Sequence, residues 1–237
     1  SSNAAVGLTT PGSGNLPVFT AINNTSAPIS TTITVTPTFE NGGISCTGTT
    51  KTITITVNPT AQVNQPNSVV LCAGTASLAI PFTTTSTGGA TTYNWTNNTT
   101  GIGLNASGTG ALPVFTPVNN TSSPIVATIT VTPTFTNSGT NCTGPSKTFT
   151  ITINPKGQVN TVSNIIVCNG DTVPAITFGT NNTGGTTIFN WSNNTPSIGL
   201  IASGSNTMPS FTAINNGTTV ITATITVTPQ FTNSITC

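Results

Sequence analysis

The sequence contains no histidine and no arginine, and its charged side chains are three lysines and two acids: Lys51, Lys147, Lys156, Glu40 and Asp171. Each absence excludes a class of function. General acid–base and nucleophilic chemistry draws on titratable groups held close together, and here neither a triad nor a pair of carboxylates can be assembled. Glu40 and Asp171 read as solvated loop acids, too isolated to supply the several oxygens that a calcium ion takes. The chain therefore reads as a non-enzyme with no cofactor and no metal. A formal net charge of +1 leaves no basic stripe to neutralise phosphates, which excludes nucleic acid as a partner. No apolar run approaches the roughly 20 residues that cross a bilayer as a helix, so no membrane insertion is expected in this stretch.

What is present is threonine, asparagine, serine and glycine, interleaved with valine and isoleucine at regular spacing. Disordered tracts are poor in β-branched residues, whereas this pattern suits β-structure. The clearest stretch is 124–155. Ile125, Ala127, Ile129 and Val131 alternate with Val126, Thr128, Thr130 and Thr132; Phe149, Ile151 and Ile153 alternate with Thr148, Thr150 and Thr152. Period two sends the apolar set to one sheet face and the threonines to the other, predicting a two-stranded hairpin with a polar loop.

The same hairpin occurs three times. Gly7-Leu8 recurs as Gly103-Leu104 and Gly199-Leu200, steps of 96 residues. Phe19 recurs as Phe115 and Phe211, Tyr93-Asn94-Trp95 as Phe189-Asn190-Trp191, and Cys72 as Cys168. Cys46, Cys142 and Cys237 correspond, with one residue lost just before Cys237. A period this long is a whole domain rather than a solenoid unit. Asn58-Pro59 and Asn154-Pro155 mark the natural boundaries, since proline stops a ladder. Residues 1–57 then form the later part of a first unit, 58–154 a complete second unit, and 155–237 a third unit without its final strand. The chain reads as a window cut from a longer array.

Within the second unit, strands are expected over 62–71, 76–84, 91–96 and 112–118, with a short edge piece at 102–104, before the hairpin. Some seven short strands with frequent turns predict an all-β fold of tandem immunoglobulin-like sandwiches, one per repeat. Trp95 and Trp191 are the expected core anchors, with Phe115 and Phe211. The prolines Pro37, Pro133 and Pro229 are expected to blunt exposed sheet edges, in place of the usual charged residues.

The run Cys72-Ala73-Gly74, then Tyr93-Asn94-Trp95-Thr96, the Ile129-Thr130-Val131-Thr132-Pro133 segment and Asn141-Cys142-Thr143-Gly144 resembles the PKD-like, Ig-like tandem repeats of giant Bacteroidota cell-surface proteins. That group includes adhesins exported by type IX secretion and gliding-motility adhesins. The resemblance implies an extracellular, cell-surface location. The segment after Trp95, NWTNNTTG, lacks the Asp-rich run of PKD domains proper.

Five cysteines complete the candidate chemistry. Their spacing matches no zinc site, and disulfides are the default outside the cell. In an Ig-like unit Cys72 lies at one end of the sandwich and Cys142 in the last hairpin loop at the other. A strand of eight residues separates the ends by about 26 Å, whereas a disulfide needs Cα atoms within about 7 Å. Head-to-tail stacking would bring Cys72 to the loop carrying Cys237. This inter-unit pairing is set against within-unit pairs, Cys72–Cys142 and Cys168–Cys237, against Cys46–Cys72 and Cys142–Cys168, which would each span 26 residues, and against free thiols or other pairings. Asp171-Thr172-Val173 looks like the O-glycosylation signal of Bacteroidota, with Thr172 as acceptor. The threonine ladders read as a solvent face; an ice-binding surface would need a flatter sheet than a twisted sandwich offers.

These readings converge on a structural repeat region of an extracellular filament or giant adhesin, whose partner is itself: neighbouring repeats and laterally associated copies. The alternative is a carbohydrate- or surface-binding module that takes surface glycans on exposed aromatic rings.

Overall fold

The computed structural model describes residues 6–8 and 12–237; the parts of the 1–57 unit at 1–5 and 9–11 lie outside the described residues. In the first unit β1 (Ile29–Val35) pairs antiparallel with β4 (Lys51–Val57), and β2 (Thr38–Asn41) pairs with β3 (Ile44–Thr47). The second unit contributes β5 (Val69–Cys72), β6 (Ala90–Asn97), β7 (Ser107–Thr109), β8 (Ile125–Asn137), β9 (Thr140–Thr143) and β10 (Lys147–Asn154). They form one sheet in the order β5-β10-β8-β6-β7, with β9 continuing alongside β8. The β5–β10 pair is parallel and the others are antiparallel.

The alternation decides which way this sheet faces. Ala127, Ile129, Val131 and Phe135 of β8 are buried with Phe149, Ile151 and Ile153 of β10. On the other face Thr128 lies opposite Thr150, and Thr130 opposite Thr148. Their methyl groups shield one another, so the β8 threonines are half-buried rather than fully wet.

The 124–155 stretch forms three strands instead of the expected two. The first runs on through Pro133 to Asn137. Pairing with β10 ends at Val131, and pairing with β9 begins at Thr134. Pro133 falls at this seam, where its missing N–H leaves no gap in either ladder. Its carbonyl accepts from the Gly144 N–H at 3.0 Å. The expectation that Pro133 guards an edge is therefore corrected: β8 has neighbours on both sides.

The third unit contributes β11 (Thr172–Val173), β12 (Ile176–Thr177), β13 (Thr186–Asn193), β14 (Ser203–Ser205), β15 (Thr207–Met208), β16 (Phe211–Thr212), β17 (Ile225–Asn233) and β18 (Ile235–Thr236). Its main sheet is β14-β13-β17-β18, and β11–β16 and β12–β15 pair as two short ladders. The second unit lacks these ladders. Its expected strands at 76–84 and 112–118 are held only by an Ile80–Leu112 bridge and single bonds such as Ser77 N–H to the Phe115 carbonyl at 2.9 Å. Proline explains the difference. Pro81 and Pro117 have no amide to donate, whereas their counterparts are Thr177, which lies in β12, and Ala213, whose N–H reaches the Asp171 carbonyl at 2.8 Å.

Two more expectations are corrected. Of 62–71, only 69–71 is strand, the start of β5 (Val69–Cys72). The 102–104 edge piece is instead the end of a 3-10 turn, Thr100–Ile102, closed by Gly103 at φ 86°. A side chain at Gly103 would also run into the Thr116 carbonyl.

The second unit's core gathers Trp95, Ile102, Leu104, Leu112, Ile129, Val131, Phe149 and Ile151 between the layers, and Trp191, Leu200 and Met208 repeat the arrangement in the third. Both tryptophans are 3% exposed. Phe115 and Phe211 pack half-buried against these cores, at their margin. The fold is all-β, built from Ig-like sandwiches.

Candidate inter-unit junction

Each unit carries, in its later part, a hairpin that places a phenylalanine opposite a cysteine. Phe39 lies across from Cys46 and Phe135 across from Cys142. Phe231 and Cys237 exchange two backbone hydrogen bonds, at 3.0 and 2.7 Å. The first two hairpins turn on two residues of positive φ, Gly42-Gly43 and Ser138-Gly139, as tight hairpins require. The third turns on Ser234 alone, at φ 63° between the paired Asn233 and Ile235. The residue lost from the sequence is thus lost from the turn, so Cys237 keeps its place opposite Phe231.

The other half of the junction is the turn after β5. Gly74 takes φ 86°, its N–H donates to the Pro117 carbonyl at 2.8 Å, and the Thr75 N–H donates to Cys72 at 3.3 Å. Lys156 lies over this turn. Cys72, on the second unit, is disulfide-bonded to Cys237 on the third, with Cα atoms 5.4 Å apart at a sequence separation of 165. The within-unit pairs Cys72–Cys142 and Cys168–Cys237 do not form. Cys46, Cys142 and Cys168 are free thiols; Cys46 and Cys168 are exposed and Cys142 is half-buried.

Around the disulfide, contacts recur at both junctions with the repeat spacing. The fully buried Asn154 donates through Nδ2 to the Asn233 carbonyl at 2.8 Å and to the Ile235 carbonyl at 3.3 Å. Between the first and second units, Asn58 Nδ2 reaches the Asn137 carbonyl at 3.4 Å, and Asn137 Nδ2 donates to Asn58 Oδ1 at 2.9 Å. The Thr183 N–H donates to the Ser122 carbonyl, and the Thr87 N–H to the Ser26 carbonyl, each at 2.8 Å. Gly184 packs on Pro124 as Gly88 packs on Pro28, each glycine at positive φ and too close to the proline ring to carry a Cβ.

The loop offering the Ser122 carbonyl is itself held in place. Asn119 Nδ2 donates to the carbonyls of Ser123, at 2.9 Å, and Ile153, at 2.7 Å, while Oδ1 accepts from the Thr121 N–H at 2.9 Å. Asn23 makes the same contacts in the first unit, with Ala27 at 2.9 Å and Val57 at 2.7 Å. Sequence reasoning missed these asparagines; their signal was recurrence at the repeat spacing, which in so asparagine-rich a chain did not stand out. Phe135 and Phe231 were missed too. Both are fully buried, each against a glycine where an added Cβ would meet its ring, Gly89 and Gly185.

Thr172 is exposed on β11, opposite Thr212. Among the described residues, no three or more Cys, Asp or Glu side chains cluster as metal ligands, and no helix is long and apolar enough to cross a membrane. Among the described residues, the titratable group that its surroundings clearly perturb is Tyr93, half-buried against Phe82. Burial raises its pKa, partly offset by a hydrogen bond with Thr84.

No family model matches this chain. No curated protein matches it either. Among solved structures it is similar to the human desmocollin-1 ectodomain, at 14% identity and a TM-score of 0.32, over 88% of this chain and 42% of that one. The chain thus spans less than half the length of that structure.

Proposed function

We propose that this chain is a structural repeat segment of an extracellular filament or giant surface adhesin, serving as its stalk. The observation that carries this reading is the duplicated junction: the Asn58–Asn137 and Thr87–Ser26 contacts reappear as Asn154–Asn233 and Thr183–Ser122. A repeated heterologous contact sets a constant relation between successive units, which is what a fibre needs. The Cys72–Cys237 disulfide favours an oxidising compartment outside the cytosol. The sparse charge leaves little on these surfaces for catalysis or for charged ligands. Electron microscopy of the native material tests the reading. Fibres with an axial repeat of one unit are expected, and isolated globular particles would overturn it.

The carbohydrate-binding alternative needs aromatic rings free to stack on sugars. Trp95 and Trp191 are buried in the cores, and Tyr93 is partly covered by Phe82. Trp fluorescence that resists aqueous quenchers is expected on the stalk reading, and strong quenching would favour glycan binding.

A further inference from the structure

We propose that the second unit carries a binding cleft for a neutral sugar, between residues 64–69 and 80–83, with Phe82 in its floor and side-chain amides along its rim. The cleft is independent of the stalk reading and uses neither buried tryptophan.

Two prolines open it. At one end the two segments are clamped together: the Asn64 N–H donates to the Thr83 carbonyl at 2.9 Å, and Asn64 Nδ2 donates to Thr83 Oγ1 at 2.8 Å. An antiparallel continuation would set Pro66 against Pro81. Neither has an N–H to donate, so the ladder stops there. Past the clamp, the first segment is drawn onto β10 instead. Gln65 Nε2 donates to the Thr148 carbonyl at 2.7 Å, and Ser68 Oγ accepts from the Thr150 N–H at 3.0 Å. Backbone pairing with β10 begins only at Val69. The second segment is held from its far side, where Ile80 and Leu112 exchange bonds at 3.1 and 3.0 Å. The walls part and leave a cleft of about 250 Å³. The second unit has a neighbour at either end, and no residue of either neighbour lines this cleft.

The third unit shows what the prolines change. It repeats the clamp, with the Asn160 N–H on the Gly179 carbonyl at 2.8 Å. In place of the prolines it has Val162 and Thr177, and Thr177 lies in β12. Its Phe178 is 7% exposed, whereas Phe82 is only half-buried. Gln65 and Asn67 are replaced there by Thr161 and Ser163, so the amide rim also belongs to the second unit.

The chemistry of the walls selects the ligand. Phe82, Ile80 and Val69 make an apolar floor. Contacts with Tyr93 at 5.7 Å and Phe149 at 6.2 Å fix the Phe82 ring, so it is already in place to receive an apolar face. On the rim, the bonds above leave Asn64 Oδ1, Gln65 Oε1 and the Asn67 amide for a ligand's hydroxyls. No residue lining the cleft is charged, so a phosphate, carboxylate or ammonium would lose water there without gaining a partner. An uncharged molecule with a C–H face and several hydroxyls meets all three conditions. The cleft is at the small end of ligand pockets, which suits a single sugar residue. A proline-rich peptide, the other ligand for an aromatic floor, needs a longer groove, and the Asn64–Thr83 clamp closes one end of this one.

NMR titration of the whole labelled chain with the methyl glycosides of glucose, galactose and mannose tests the assignment. At least one is expected to give saturable shifts of the backbone amides in 64–69 and 80–83 and of the Gln65 and Asn67 side-chain amides. The indole signals of Trp95 and Trp191 should stay in place. Pro66→Val/Pro81→Thr installs the residues with which the third unit folds, and is expected to weaken binding roughly tenfold or more by closing the cleft. Asn67→Ala should weaken it roughly fivefold, the worth of about one hydrogen bond, with the melting midpoint unchanged. No saturable shift with any of the three glycosides overturns the inference, as does binding that maps elsewhere or survives both variants undiminished. A proline-rich peptide or methyl glucuronide that fills this cleft when the neutral glycosides do not would overturn it as well.

Discussion

Asn154 shows how a single side chain can set the joint between two sandwiches. It closes β10, it is fully buried, and its amide reaches two carbonyls on the next unit. Replacing it by alanine leaves those carbonyls without this donor at a part-buried interface, a loss of about 1–3 kcal/mol. Asn154→Ala is expected to lower the urea midpoint and to speed exchange of the Thr183 amide, which bonds Ser122 across the same joint. Unchanged exchange at Thr183 would mean that Asn154 is not part of the joint. Tyr93 gives a second residue-scale test. Burial raises its pKa above 10.0, so the folded state holds the phenolic proton more tightly than the unfolded state. Its contribution is then fully present below pH about 10 and is lost as pH rises through the folded pKa. Melting at pH 8 and pH 11 should show a larger alkaline loss for the natural chain than for Tyr93→Phe. Equal losses would contradict the burial.

At the scale of elements, the hairpin alternation was legible because each apolar residue of β8 and β10 reports its own face. The opposing layer was less so. Strand-like composition at 76–84 and 112–118 gave no hint that Pro81 and Pro117 would reduce the ladder to a bridge, although the third unit's Thr177 and Ala213 held the comparison in the sequence all along. Pro117→Ala is therefore expected to restore a donor facing Thr75 and to give residue 117 a slowly exchanging amide. The net stability change should be within about 1 kcal/mol, since the new bond and the lost stiffening of the unfolded chain nearly offset. Rapid exchange at 117 would refute the proline account. The close approach of Gly185 to Phe231 and to the Thr232 carbonyl was not legible, because contact across a sheet depends on register rather than spacing. Gly185→Ala is expected to cost about 1–3 kcal/mol through overpacking, read as a lower melting midpoint. An unaltered midpoint would show that the ring has room to move.

For the whole molecule, the joint matters more than any one sandwich. The sequence pointed to Cys72 and Cys237 through a distance argument: the two ends of one sandwich are too far apart to be bridged. It could not reach the asparagine clasps, whose partners are backbone carbonyls with no sequence signature. The disulfide closes a loop of 165 residues, and cross-links of that span stabilise by about 2–5 kcal/mol. Cleaving it should loosen one joint while each sandwich keeps its core. Non-reducing peptide mapping of the oxidised chain is the most direct test of the covalent joint. Cleavage after Lys51, Lys147 and Lys156 places Cys72 and Cys142 on one fragment, and Cys168 and Cys237 on another. The account predicts that these two fragments are linked to each other, through Cys72 and Cys237. Two separate fragments, each closed on itself by Cys72–Cys142 or Cys168–Cys237, would contradict it.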